Sequence, residues 1–341
     1  MLKLRQFDWR GLLEREGSDV APRRRMTLDL NLETVQQIVR SLDPSLTAER
    51  FGRLEGGSTE GGSTEVYKID VVGADAKPLV LKIYSDEPAW LPAKELLVSG
   101  WLAELTPPVP QWLRVDESRT LLPLRFALLT LLPGLPLRHW FGNPGIGSAY
   151  RQMGELLRRV PPSPWPPMVT YVGRASRTHG PPTPSTWFED VFRRFRDLGG
   201  DANLGRRLEQ FAEERFDLLA GNSRPVLCHD DFHQGNVLAL RSLDGGLRLS
   251  GLTDFGNARA ADSLFDLAKA LFCSAHEDAR SHQPLLEGYG PIDHPEPERA
   301  LWLYTLFHRV SMWCWLTKLG HKASADDGPG GLLRDLGQMV R

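Results

Sequence analysis

The pattern of apolar and polar positions divides this chain into an early strand-rich stretch and a later helix-rich one. Val35, Ile38, Val39 and Leu42 recur at the spacing of one helical face and predict a helix over 32–42. Arg50 to Leu54 reads as a short strand. Val66–Val72 alternates, with Tyr67, Ile69 and Val71 on one side, and Leu79–Tyr84 follows as another strand after a turn over 73–78. A helix is expected from Pro92 to Leu105, with Leu97, Trp101 and Leu105 along one side; Pro107, Pro108 and Pro110 stop it. Phe126–Leu132 is an unbroken apolar run, a buried strand, and Pro133-Gly134 punctuates it. Beyond Gly134 the pattern predicts helices over Ala149–Val160, Thr186–Leu198, Leu204–Leu219 and Glu298–Leu319. The last is apolar nearly all round, with Trp302, Trp313 and Trp315, and is expected to be buried. A proline-rich stretch (Pro161–Pro167 and Pro181–Pro184) reads as a partly folded connection or a lid. Three regions follow: an extension and helix over 1–45, a strand-rich lobe over 46–133, and a larger helical lobe over 134–341.

With 341 residues, the chain is long enough for two domains that each bury a core. Lys plus Arg number 41 against 43 Asp plus Glu, so no global charge draws the chain to nucleic acid or to anionic lipid. Arg23-Arg24-Arg25 is too short a run to change that and reads as a solvated extension. The three cysteines, Cys228, Cys273 and Cys314, form neither a disulfide framework nor a zinc pattern, which suits a reducing cytoplasm. No stretch of eighteen apolar residues exists, and the first ten residues lack the apolar core of a secretion signal. The expected partner is a small molecule, without nucleic acid or membrane.

The chemistry concentrates in Val226–Leu271. A short apolar strand, 225–228, leads into His229-Asp230-Asp231-Phe232-His233-Gln234-Gly235-Asn236. Two strands, Val237–Leu240 and Leu247–Thr253, flank a turn containing Asp244-Gly245-Gly246, and Asp254-Phe255-Gly256 follows. Asn236 precedes the first strand and Asp254 ends the second, so antiparallel pairing would bring both to one end of the hairpin, with Asp231 in the loop beside them. Two carboxylates and an amide are hard oxygen ligands, the kind Mg²⁺ takes together with phosphate and water.

The spacing Asp-x₄-Asn followed by Asp-Phe-Gly is the parts list of kinase-type phosphoryl transfer. On these residues the chain resembles the aminoglycoside phosphotransferase and choline kinase-like families, whose loop reads His-Gly-Asp-x₄-Asn. The resemblance covers roughly residues 50–320. It implies an α+β, protein-kinase-like two-lobe fold: a small β-rich N-lobe with one inserted helix and a larger, mainly helical C-lobe. It implies ATP as co-substrate, Asp231 as catalytic base, and Asn236 and Asp254 as Mg²⁺ ligands. His229 matches the family's histidine, and Asp266, in Asp262-Ser263-Leu264-Phe265-Asp266-Leu267-Ala268, would open a helix and brace the loops. Two positions depart from the pattern: Asp230 stands where the family has glycine, and Asn257 where an acidic residue is frequent.

The nucleotide half is expected from the first lobe. Gly56–Glu60 and Gly61–Glu65 are a tandem GGSTE repeat. Gly61, Gly62, Ser63 and Thr64 abut the next strand and are the expected phosphate loop, where glycine lets backbone N–H groups approach an anion. Lys82, inside Leu-Val-Leu-Lys-Ile-Tyr, is the expected phosphate-contacting lysine. Flanked by Leu81 and Ile83, it needs a buried partner, which Glu95 supplies thirteen residues on. Leu129 and Leu131 lie where a strand would enter the adenine hinge.

Three other readings compete on the same residues. His229-x₃-His233 resembles a zinc-protease pair, but that motif needs a helix, and Gln-Gly-Asn suits a loop. A protein kinase would carry Ala-Pro-Glu and a longer segment after Asp-Phe-Gly. A non-catalytic nucleotide-binding protein on the same fold is motivated by Asp230 and the doubled loop. From Asn257 on, 11 acidic and 9 basic residues nearly balance, so no acidic pocket marks a polycationic acceptor.

Overall fold

The computed structural model describes residues 28, 30–54, 64–86, 88–160, 162, 184–219, 225–243, 245–318, 320 and 329–340. It divides into two compact units. The first holds the described residues through Pro133 together with Gly251–Gly256; the second holds those from Gly134 to Ser250 and from Asn257 on.

In the first unit, helix α1 (Leu32–Leu42) opens on Asn31, whose side chain accepts the Thr34 N–H. Strands β1 (Thr47–Arg53), β2 (Thr64–Val72) and β3 (Leu79–Tyr84) lead to helix α2 (Leu91–Trp101), and β4 (Trp112–Asp116) and β5 (Arg125–Thr130) complete the sheet. The strand order is β1-β2-β3-β5-β4, antiparallel throughout. Val35, Ile38 and Val39 of α1 are fully buried against Ile69, Leu81, Ile83 and Leu128. Each such side chain contributes about 2 kcal/mol of hydrophobic free energy. Tyr84, Ala127 and Leu129 pack on a separate cluster with Leu91 of α2. The period-two alternation of β3 therefore sets Lys82 and Tyr84 on the opposite side from Leu81 and Ile83.

The expected face of α2 is wrong. Leu97 is exposed, Leu105 lies beyond the helix end, and the buried row is Leu91, Glu95, Val98 and, just past the end, Leu102. β4 was not expected at all; it forms where the proline run releases the chain at Trp112.

The second unit opens with β6 (Leu135–Pro136) and a 3₁₀ turn (Leu137–Trp140). Helices α3 (Ile146–Arg158), α4 (Pro184–Asp197) and α5 (Ala202–Glu213) follow. Then come β7 (Val226–Cys228), β8 (Val237–Arg241), β9 (Leu247–Leu252) and β10 (Arg259–Ala261). The last four helices are α6 (Ser263–Glu277), α7 (His282–Tyr289), α8 (Pro297–Lys318) and α9 (Pro329–Met339). The strands form two small sheets, β6-β8-β9 and β10-β7. An aromatic core joins α4, α6 and α8: Phe188 and Phe265 both meet Phe307, and Trp187 meets Phe265 edge-on. Burial of α8 is one-sided, against expectation: Trp313 is inside, but Trp302 and Trp315 are each about half exposed. Most of the proline-rich stretch, like residues 1–27, lies outside the described residues. All three cysteines are free thiols. Among the described residues no helix is long and apolar enough to cross a membrane.

Candidate active site

Lys82 of β3 and Glu95 of α2 meet inside the first unit. The Lys82 Nζ donates to both Glu95 oxygens, at 2.9 and 2.8 Å, and to Asp254 Oδ1 at 3.1 Å. The Tyr84 hydroxyl adds a bond to Glu95 Oε2 at 3.0 Å. Lys82 is 7% exposed and Glu95 4%, so an unpaired charge on either would cost several kcal/mol. Burial works against the ammonium, but the Asp254 and Glu95 carboxylates prevail and hold its pKa above the ordinary lysine value. The neighbouring Lys94 donates to the Gly256 carbonyl at 2.9 Å. Lys82 of β3 and Lys94 of α2 thus hold the two ends of Asp254-Phe255-Gly256. Asp254 adopts a left-handed φ of 67°, which costs a non-glycine residue about 1–2 kcal/mol, and its carboxylate is 39% exposed.

The other first-unit positions are placed as follows. Thr64 opens β2, is buried, and lies opposite Tyr84 in the β2–β3 register. Gly61, Gly62 and Ser63 lie outside the described residues. Leu129 is buried in β5; Leu131 is half-buried, one residue past its end.

In the second unit the loop 229–236 runs between β7 and β8. Asp266, in the first turn of α6, accepts the His229 N–H at 2.5 Å and the Asp230 N–H at 2.8 Å. Burial pushes its carboxyl up to about 7 against these two bonds. Asp266 therefore braces the loop, but it does not open the helix as expected. Asp262 does, by accepting the Leu264 N–H at 2.7 Å. Gln234 is fully buried and accepts from Ser274 of the same helix at 3.1 Å.

Within the loop, Asn236 Nδ2 donates to the Asp231 carbonyl at 2.9 Å and to its Oδ2 at 3.2 Å. Asp231 Oδ1 lies 3.4 Å from Lys269 Nζ and 3.6 Å from His233 Nε2. Burial alone would raise the Asp231 carboxyl; the Lys269 ammonium and then His233 outweigh it and hold it well below the usual carboxylate range. His233 Nδ1 accepts the Gly235 N–H at 2.9 Å, which fixes the ring. A Cβ on Gly235 would come within 2.5 Å of that ring, so a larger residue there would displace His233. His229 packs edge-on against Phe232, in a loop rather than on the helix a zinc-protease pair needs.

The family's glycine position, Asp230, keeps the left-handed backbone (φ 57°) that glycine would favour. Its carboxylate pairs with Arg259, whose guanidinium lies 5.3 Å from the Trp187 ring and 5.2 Å from the Phe265 ring. Sequence reasoning missed both Arg259 and Lys269. Lys269 was within reach: it stands three residues after Asp266, on the same face of one helix.

An antiparallel sheet with a buried lysine, and a helical unit that carries an Asp-x₄-Asn loop, define a kinase-like phosphotransferase. The family model described as the phosphotransferase enzyme family (APH) matches residues 59–303, and the chain belongs to that family. Solved structures share the fold at low sequence identity. The GDP and kanamycin complex of the aminoglycoside phosphotransferase APH(2″)-IIIa is 15% identical at a TM-score of 0.60, covering 91% of this chain and 98% of that one. A thermostable mutant of APH(4)-Ia in ternary complex with ADP and hygromycin B is 14% identical at 0.60, covering 90% and 98%. A choline/ethanolamine kinase family protein from Mesorhizobium loti is 16% identical at 0.55, covering 85% and 88%. No curated protein matches the sequence.

Proposed function

We propose that this phosphotransferase moves the γ-phosphate of ATP onto a hydroxyl group of a small molecule. The observation that carries the reading is the Lys82 ammonium, buried and held between Glu95 and Asp254. In it, the stretch 46–133 binds the nucleotide, with Gly61, Gly62, Ser63 and Thr64 over the phosphates and Leu129 and Leu131 beside the adenine. The stretch 134–341 takes the acceptor. In this reading Asn236 and Asp254 would each offer Mg²⁺ a hard oxygen, the amide carbonyl of one and the carboxylate of the other, 39% exposed. The ion, when bound, would neutralise charge on the transferring phosphoryl group. Asp231, ionised and held by Asn236, would orient the acceptor hydroxyl and take its proton, so positioning and charge stabilisation supply most of the catalysis.

Nucleotides in the similar structures, GDP and ADP, support a nucleotide donor; kanamycin and hygromycin B there support a small-molecule acceptor, with an aminoglycoside or other antibiotic among the classes to test first. A second reading, a binding protein that never turns over, draws on Asp230 beside the base. The test is ATP consumption with aminoglycosides, peptide antibiotics, sugars and amino alcohols. Asp231→Ala is expected to lose roughly 10²–10⁴-fold in turnover and to retain ATP binding. Full turnover in that variant would remove Asp231 from the chemistry. Tight Mg·ATP binding with no acceptor consumed across the panel would favour the binding protein.

A further inference from the structure

Three features of the second unit lie outside the mechanism above: the Arg259–Asp230 pair, a shallow surface hollow beside Trp302, and Lys269. Only Lys269 touches a residue assigned to the chemistry. Its Nζ lies 3.4 Å from Asp231 Oδ1, and its side chain is 11% exposed. The lysine rises from α6, the helix whose Asp266 already holds the backbone N–H groups of His229 and Asp230. Residues 266 and 269 are one helical turn apart, so they share a face. The same helix meets the loop a third time through Ser274 and Gln234. One rigid element therefore grips the loop by its backbone, by its buried amide and by the carboxylate of Asp231.

We propose that Lys269 is a positioning residue for the transfer, one that fixes the orientation of the Asp231 carboxylate. This rests on the assignment of Asp231 as base. Asp231 Oδ2 is bound by Asn236 Nδ2 at 3.2 Å, so the second oxygen decides which way the carboxylate plane turns. His233 approaches Oδ1 at 3.6 Å and Lys269 at 3.4 Å, from a neighbouring residue of the loop and from α6 respectively. A loop histidine moves with the loop; a helix lysine does not. The helix supplies the fixed reference, and in-line transfer is sensitive to displacements of about 1 Å at the nucleophile, on the order of 10² in rate.

The test is a double-mutant cycle on turnover, with Lys269→Met, Asp231→Asn and the double variant. Lys269→Met is expected to lower kcat about 10–100-fold and to leave the KM for ATP within about twofold. Lys269→Arg, which keeps the cation, should recover most of the loss. In the Asp231→Asn background, Lys269→Met should lower turnover no further. An unchanged kcat in Lys269→Met would overturn the proposal. So would the same fold-loss in both backgrounds, because Lys269 would then act without Asp231. If Lys269→Met does not fold, Lys269→Gln takes its place in the cycle. If the wild-type protein transfers phosphate to nothing in the panel, the phosphotransfer reading fails by itself. The cycle is then read by denaturant midpoints: the double variant more stable than the singles add up to keeps the Lys269–Asp231 link, and strict additivity removes it.

Discussion

Asp230 shows how one residue is tolerated where its neighbours ask for glycine. The backbone there is left-handed, and an aspartate in that region costs about 1 kcal/mol relative to glycine. The ion pair with Arg259 offsets it, and two aromatic rings lie against the guanidinium. Both partners are mostly shielded, with side chains 10% and 14% exposed, so removing either takes an opposite charge from a mostly buried one. Arg259→Met is expected to lower the unfolding free energy by about 2–4 kcal/mol. Asp230→Gly should cost less, because relief of the backbone strain subtracts from the loss. Asp230→Gly with Arg259→Met should be more stable than Arg259→Met alone. Urea denaturation of the three variants decides it: a double variant no better than Arg259→Met would mean that the two side chains are not coupled.

Among the elements, α3 and α7 come closer than side chains normally allow. A Cβ on Gly288 would sit 1.9 Å from the Arg151 carbonyl oxygen, and one on Gly154 2.1 Å from the Leu285 carbonyl oxygen. Two helix backbones touch through these glycines, and neither can shift without parting the pair. Gly288→Ala is expected to destabilise the protein by about 1–3 kcal/mol, the range for overpacking, although alanine is the better helix former. A neutral or stabilising Gly288→Ala in thermal unfolding would show that the helices separate freely. This contact was not legible in the sequence, because nothing in a lone glycine names the backbone it will meet. The face of α2 was misread for another reason. Apolar spacing favoured Leu97, although the Glu95 already paired with Lys82 faces inward beside Leu91 and Val98. Where one periodic pattern acted alone, in α1, the reading from residues matched the structure in extent and in buried face; β3 matched in extent. Trp302 and Trp315 were misplaced for a different reason: hydropathy counts an indole as core, whereas an aromatic rim can stay half in water.

Across the whole molecule, the proposed work is shared between residues far apart in sequence. Lys82, Glu95 and Asp254 are linked by hydrogen bonds, while Asp231, Asn236 and Lys269 form a cluster of their own. The Lys82–Glu95 spacing and the Asp-x₄-Asn loop were legible because short-range chemistry fixes them; the ion pair from Lys82 to Asp254 spans 172 residues and only folding reveals it. If the cluster of Lys82, Glu95 and Asp254 holds Mg·ATP, nucleotide binding must stabilise the native state by mass action, about 2.7 kcal/mol at a free concentration one hundred times Kd. Thermal unfolding with Mg·ATP should shift upward, and a chelator should remove the part that depends on the metal. Asp254→Asn and Lys82→Met should each shrink the ligand-induced shift. Asp231→Asn should keep it, because that residue is assigned to the acceptor rather than to the nucleotide. The discriminating comparison is the shift in each variant relative to its own apo protein, which cancels any loss of intrinsic stability. An Asp254→Asn protein stabilised by Mg·ATP as fully as the wild type would take the metal away from Asp254, and with it the proposed role of the Asp-Phe-Gly segment.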